Sequence, residues 1–125
     1  VPDVLDRYAR WLPERARDGR SVFLVAERPE GGLAGFTVGT IEPEVPIFWV
    51  PECGWIHDLW VEPDARGHGA ARALTLAAVD RFRAMGVAQV RLHTGVFNAG
   101  AQGLFESLGF RACVREYILP LGETR

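Results

Sequence analysis

Arg66-Gly67-His68-Gly69-Ala70-Ala71 stands between an apolar run, Trp55 to Val61, and a long amphipathic stretch that starts at Ala70. A strand that turns through glycines into a helix start builds an anion site. The first N–H groups of a helix have no partner within it, and the helix dipole favours negative charge there. Glycines at Gly67 and Gly69 let a phosphate approach the main chain and let φ become positive at little cost. Arg66 adds a fixed positive charge beside the turn. The segment therefore predicts a phosphorylated ligand.

Two familiar phosphate motifs fail at named positions. A P-loop needs Lys and Ser/Thr where Ala70 and Ala71 stand, and a G-x-G-x-x-G fingerprint would end on Arg72. No Asp or Glu follows about 20 residues on to hold a ribose, where Met85 to Arg91 lies. What fits is R-x-x-G-x-A, carried by Arg66, Gly69 and Ala71 and preceded by Leu59-Trp60-Val61-Glu62-Pro63. This resembles the acetyl-CoA pyrophosphate loop of the GNAT superfamily of N-acetyltransferases. The run Asn98 to Phe110 resembles the same family's N-x-x-A-x-x-L-Y-x-x-x-G-F helix, with Phe105 in place of the Tyr. The two motifs come in the family's order, and the resemblance covers roughly Leu33 to Leu119. It implies an α/β (α+β) fold: a mixed, mostly antiparallel sheet with helices on both faces and a splayed central strand pair.

With 125 residues and 48% hydrophobic content the chain is expected to form one domain with a real core, residues 1–125. A formal charge of −2 without a Lys/Arg run argues against a nucleic-acid surface. The longest apolar stretch is far short of a membrane span, and no signal peptide is visible. Cys53 and Cys113 read as thiols of a reducing compartment rather than a disulfide, so the cytoplasm is the expected location. The chain opens on Val1-Pro2 without Met. Relatives usually begin with a strand and helix before this point, so the resemblance implies that this first strand is cleaved, lies outside the sequence or is absent.

Apolar residues at Val4, Leu5, Tyr8, Trp11 and Leu12 predict a helix over Val4 to Arg17. Ser21 to Glu27 and Leu33 to Ile41 read as an antiparallel hairpin around Pro29-Glu30-Gly31-Gly32. Glu42 to Gly54, with Pro43, Pro46 and Pro51, reads as a loop or short irregular hairpin. Trp55 to Val61 is the next strand, and its apolar character suits a central position. Ala71, Leu74, Ala78, Phe82 and Met85 form one helical stripe that ends before Gly86. Val87 to Thr94 reads as a strand with one polar face. Asn98 caps a helix over Ala101, Leu104, Phe105 and Leu108, closed by Gly109. Phe110 to Leu119 is expected as the last strand.

Acetyl transfer from a thioester to an amine requires that the carrier be held, the ammonium deprotonated and the thiolate released. The resemblance implies that the backbone of Leu59, Trp60 and Val61 holds the pantetheine arm like an added strand. It puts the pyrophosphate on the N–H groups of Gly67, His68, Gly69, Ala70, Ala71 and Arg72, and the pantetheine against Asn98. Arg66 and Arg72 could instead be solvated charges, and Asn98 only a cap. A base works best with a pKa near the ambient pH, which points to His. His57 is taken first and Asp58 second. Neighbours on a strand face opposite sides, so only one of them looks into the splay unless a bulge intervenes. A hydrogen-bonded core histidine is the plain alternative for His57, and His93 is a weaker candidate. No His pair has metal-ligand spacing, so no metal is expected.

Phe105 removes the hydroxyl that would protonate the departing sulfur. Thiols have a pKa of about 8.5, so a thiolate can leave unassisted, and a water or Tyr117 could substitute. Val45 to Pro51 is apolar for a loop, and three readings stay open: a wall for a hydrophobic amine, a homodimer interface, or core packing. Glu42, Glu44 and Glu52 flank it and could draw a cationic amine or simply face solvent. The sequence thus predicts an acetyl-CoA-dependent N-acetyltransferase acting on a small amine by direct attack. Its rivals are a non-catalytic acyl-CoA-binding or sensing module and a nucleotide-binding domain using the same turn.

Overall fold

The protein is represented by a computed structural model that describes residues 20–43 and 52–122. The helix expected over Val4 to Arg17 and the apolar segment Val45 to Pro51, with Glu44, lie outside the described residues. The described residues fall into two compact units, one up to His93 and one from Thr94 onward.

The first unit is a four-stranded sheet in the order β1-β2-β3-β4, formed by β1 (Ser21–Glu27), β2 (Leu33–Pro43), β3 (Glu52–Val61) and β4 (Val90–Leu92). β1–β2 and β2–β3 are antiparallel and β3–β4 is parallel, the mixed, mostly antiparallel sheet that the sequence predicts. The hairpin closes where Arg28 N donates to Gly32 O and Gly31 N to Arg28 O, with Gly31 and Gly32 both at positive φ. Of the two readings of Glu42 to Gly54, a loop or a short irregular hairpin, the paired ends fit the hairpin: both belong to strands. Glu42 pairs with Cys53 and Pro43 with Glu52, and Arg20 bonds Glu52 at 2.5 Å. Prolines restrict a strand only where their missing N–H is needed, and Pro43 sits at the last paired position.

Helix α1 (Ala70–Ala84) packs on one face of this sheet through the predicted stripe. Leu74, Ala78 and Phe82 are buried, and Phe82 joins Val22 and Ile56 in one cluster that Val90, Leu92 and Met85 border. The Phe82 ring lies against two glycines. A Cβ at Gly39 would stand 2.7 Å from Phe82 Cζ, and one at Gly54 would stand 2.6 Å from Cγ. The sheet is thus hollowed by sequence to accept one aromatic ring, whose full burial stabilises by about 1.5–3 kcal/mol.

β4 is shorter than the strand expected over Val87 to Thr94. It pairs with β3 only at Gly54↔Val90, Trp55↔Arg91 and Ile56↔Leu92. The cause lies in β3. Its register with β2 slips after Val38↔Asp58 to Gly39↔Ile56, so His57 is an extra residue, a β-bulge. A bulge bends its strand and raises the local twist, and the parallel ladder stops at the residue before it.

The second unit holds helix α2 (Ala99–Ser107). Asn98 is its N-cap, with Oδ1 accepting from Ala101 N at 3.1 Å. At the other end Gly109, at φ 98, donates to Glu106 O and Phe110 N donates to Phe105 O. This is a Schellman closure, and the Phe105 and Phe110 rings supply its apolar contact, edge to face with centroids 5.7 Å apart. The strand expected over Phe110 to Leu119 is absent: residues 110–121 have no regular structure. Alternating apolar residues make a strand only beside a partner, and this unit's described residues contain no other strand.

Candidate functional site

The site begins where β3 and β4 part. From His57 to Val61, β3 has no ladder partner on the β4 side among the described residues, which is the splay the resemblance implies. The bulge settles the question of facing that the sequence left open. Gly39 and Ile56 face α1, so their neighbours Val38 and Thr40 face away from it. Asp58, opposite Val38, shares that face, and His57 is turned to it as well because its ring bonds Thr40. Both candidate bases therefore lie on the side of the sheet away from α1. Asp58 is half-buried, and its backbone oxygen accepts from the Thr37 hydroxyl at 2.8 Å.

His57 is held by side chains the sequence reading did not single out. Nε2 lies 2.6 Å from Thr40 Oγ1, Thr40 Oγ1 donates to Glu42 Oε1 at 2.7 Å, and Nε2 is 3.8 Å from that same carboxylate oxygen. Thr40 is 2% exposed, while the His57 ring keeps 36% of its surface. The sequence does hold a signal for this: Thr40 and Glu42 are two apart on a strand and so share a face. Sequence reasoning took Glu42 as a loop flank and missed it. His93, the weaker candidate, stands edge-on to Trp55 with ring centroids 5.1 Å apart.

Beyond Val61 the chain makes a single 3₁₀ turn, Pro63–Ala65, and then the glycine turn. Arg28 donates to Asp64 at 2.7 Å, which ties this turn to the end of the β1–β2 hairpin. That bond holds the Asp64 carboxyl below the usual carboxylate range and raises Arg28 further. Arg66 is exposed, but it is not simply a solvated charge. Its Nε donates to Val61 O at 2.9 Å and its guanidinium lies over the Trp60 ring, 4.8 Å from the centroid. Arg66 thus fixes the path from strand to loop and brings its charge to the turn.

Gly67 and Gly69 have φ of 83° and 86°, values an L side chain rarely adopts, and a Cβ at either would meet nothing within 4 Å. Here glycine answers to backbone torsion and leaves open space above the turn. Gly69 is the N-cap of α1, with no side-chain cap and no acidic residue in the first turn. The N–H groups of Ala70, Ala71 and Arg72 precede the first bond of the helix ladder, Ala73 N to Gly69 O. They stand at the positive end of the helix dipole. His68 is exposed and bonds back to Arg66 O through Nδ1 at 3.2 Å.

Asn98 and Phe105 belong to the second unit. The Asn98 cap uses the side-chain oxygen and not the amide nitrogen, and Phe105 is buried with its ring on Phe110. Tyr117 lies in the irregular segment, 83% exposed. Cys53 is a buried thiol and Cys113 an exposed one. Among the described residues no three His, Cys, Asp or Glu side chains gather as metal ligands, and no helix is long and apolar enough to cross a membrane.

Known proteins resemble this chain in sequence and fold. A mycothiol acetyltransferase of Saccharomonospora viridis is 37% identical over 89 residues, 70% of this chain and 29% of that protein. An uncharacterized N-acetyltransferase of Methanocaldococcus jannaschii is 34% identical over 105 residues, 82% of this chain and 43% of that protein. This chain thus spans less than half the length of either. The crystal structure of a Trypanosoma brucei acetyltransferase superposes with a TM-score of 0.68 at 29% identity, covering 90% of this chain and 77% of that one. The Acetyltransferase (GNAT) family pattern matches residues 2–110. Strand, glycine turn, helix and match together lead to one conclusion: this chain belongs to the GNAT family of acetyltransferases.

Proposed function

We propose that this domain transfers an acetyl group from acetyl-CoA to the amine of a small molecule by direct attack, with His57 as the base. One observation carries the reading: the parallel ladder ends at Ile56↔Leu92, and the next residue of β3 is a bulged histidine. A thioester laid along the free edge of Leu59, Trp60 and Val61 would bring its carbonyl to this point. The pyrophosphate would rest on the N–H groups of Gly67 to Arg72, with Arg66 adding charge.

In this mechanism His57 takes a proton from the acceptor's ammonium. The neutral amine attacks the thioester carbonyl, the C–S bond breaks and CoA leaves as thiolate, and the nitrogen's second proton passes to water. Phe105 cannot protonate the sulfur. General-acid help is worth roughly 10²–10⁴ in rate, so its absence slows the reaction without forbidding it. Asp58 shares the face of His57 and is the alternative base.

The test is thiol release from acetyl-CoA across a panel of small primary amines that carry no thiol of their own. His57→Ala should lower kcat by about 10²–10⁴ and leave the affinity for acetyl-CoA within a factor of two or so. Asp58→Asn should cost less. If His57→Ala keeps the wild-type rate and Asp58→Asn loses it, the base is Asp58. Phe105 favours a second reading, a non-catalytic acyl-CoA sensor. Tight acetyl-CoA binding with no turnover on any amine would establish that one.

A further inference from the structure

The contacts of His57 determine which of its nitrogens can act, an inference that rests on the reading of His57 as the base. A carboxylate only accepts hydrogen bonds, and a threonine hydroxyl has one proton to give. Thr40 spends that proton on Glu42 Oε1 at 2.7 Å. The 2.6 Å contact between Thr40 Oγ1 and His57 Nε2 therefore needs its proton from the ring. In neutral His57 the proton sits on Nε2 and the lone pair is on Nδ1, which has no hydrogen-bond partner among the described residues. Thr40 is 2% exposed, so water does not readily replace either partner.

We propose that Glu42 and Thr40 are positioning residues that hold His57 in the Nε2–H tautomer and so make Nδ1 the atom that accepts the substrate's proton. The relay runs from the Glu42 carboxylate through the Thr40 hydroxyl to the His57 ring. When Nδ1 takes the ammonium proton, the imidazolium keeps its Nε2–H on Thr40 and Thr40 keeps its own on Glu42. No proton travels along the relay. The positive charge formed on the ring faces the Glu42 oxygen 3.8 Å away. Strand alternation puts His57 on the face that carries Thr40 and Glu42, since Ile56 before it faces α1 and Trp55 pairs with Thr40, and the bulge brings Asp58 onto the same face.

The experiment is nitrogen-15 NMR of the histidine rings in the whole chain at a pH where His57 is neutral, with the His57→Gln variant assigning the signals. The proposal expects an Nε2-protonated His57 in the wild type. Thr40→Ser, which keeps the hydroxyl, should preserve that tautomer and the rate. Thr40→Val should mix the tautomers and lower kcat by about tenfold or more, within the 10²–10⁴ that general-base catalysis supplies, with KM for acetyl-CoA unchanged. An Nδ1-protonated wild-type ring, or Thr40→Val with the tautomer and kcat of the wild type, overturns the relay. That failure is separable from failure of the base: a reversed tautomer with an inactive His57→Ala sinks the relay alone, whereas the expected tautomer with a fully active His57→Ala sinks both the base and its positioning.

Discussion

The two ends of α1 use the same residue at the same torsion for opposite purposes. Gly69 precedes the helix and Gly86 follows it, both at φ 86°, and neither would crowd a Cβ. At the C-terminal end the helix is closed. Met85 N donates to Arg81 O, Gly86 N donates to Arg83 O, and Arg81 and Arg83 in the last turn face the negative pole of the dipole. At the N-terminal end nothing equivalent is present: no side-chain cap and no acid in the first turn. α2 differs: its start carries a side-chain cap, Asn98. The contrast between the two poles supports the proposal that the N-terminal one receives the pyrophosphate of acetyl-CoA.

The sharpest way to break this contrast is to put one large side chain at both glycines. Gly69→Trp and Gly86→Trp should each cost roughly 1–2 kcal/mol of stability from left-handed strain. Only the first should also fill the space above the turn. Losing two hydrogen bonds to a charged ligand, at about 1.5–3 kcal/mol each, raises its dissociation constant by about 100-fold or more. Equal affinities in the two variants would mean that α1 has no functional pole. Next in size is Asn98→Ala, expected to cost about 1 kcal/mol in a denaturation midpoint. If it also weakens acetyl-CoA binding, the cap has a second role through its amide nitrogen.

The smallest effect concerns the tie between the hairpin and the turn. Asp64 has its carboxyl lowered by the Arg28 bond. Its contribution is therefore fully present above the ordinary Asp range and lost as pH falls through the lowered folded value. Acid titration of wild type against Arg28→Ala should show a small extra loss of stability below about pH 4 in the wild type alone. Identical acid limbs would remove the tie from the account.

The same contrast shows what a sequence can and cannot reveal. Gly67, Gly69 and Gly86 were legible because glycine at a strand–helix or helix–loop boundary reports a backbone torsion, and torsions are local. The stripe of Leu74, Ala78 and Phe82 was legible because its period is local too. The bulge at His57 was not, since it exists only as a slip of register between two strands and no residue in β3 announces it. The relay was half legible: the spacing of Thr40 and Glu42 puts them on one strand face, but that His57 meets them there depends on the register of β2 on β3. The shortened β4 and the missing strand over Phe110 to Leu119 share that cause. Alternation in a sequence proposes a strand, but a ladder partner decides it.

Calorimetric titration with acetyl-CoA of the wild type, Gly69→Trp and Gly86→Trp, with ATP and NADH as controls, tests the central claim most directly. The account predicts that wild type and Gly86→Trp bind acetyl-CoA, that Gly69→Trp does not, and that neither control binds. An unchanged dissociation constant in Gly69→Trp, or binding of ATP or NADH in place of acetyl-CoA, would contradict it.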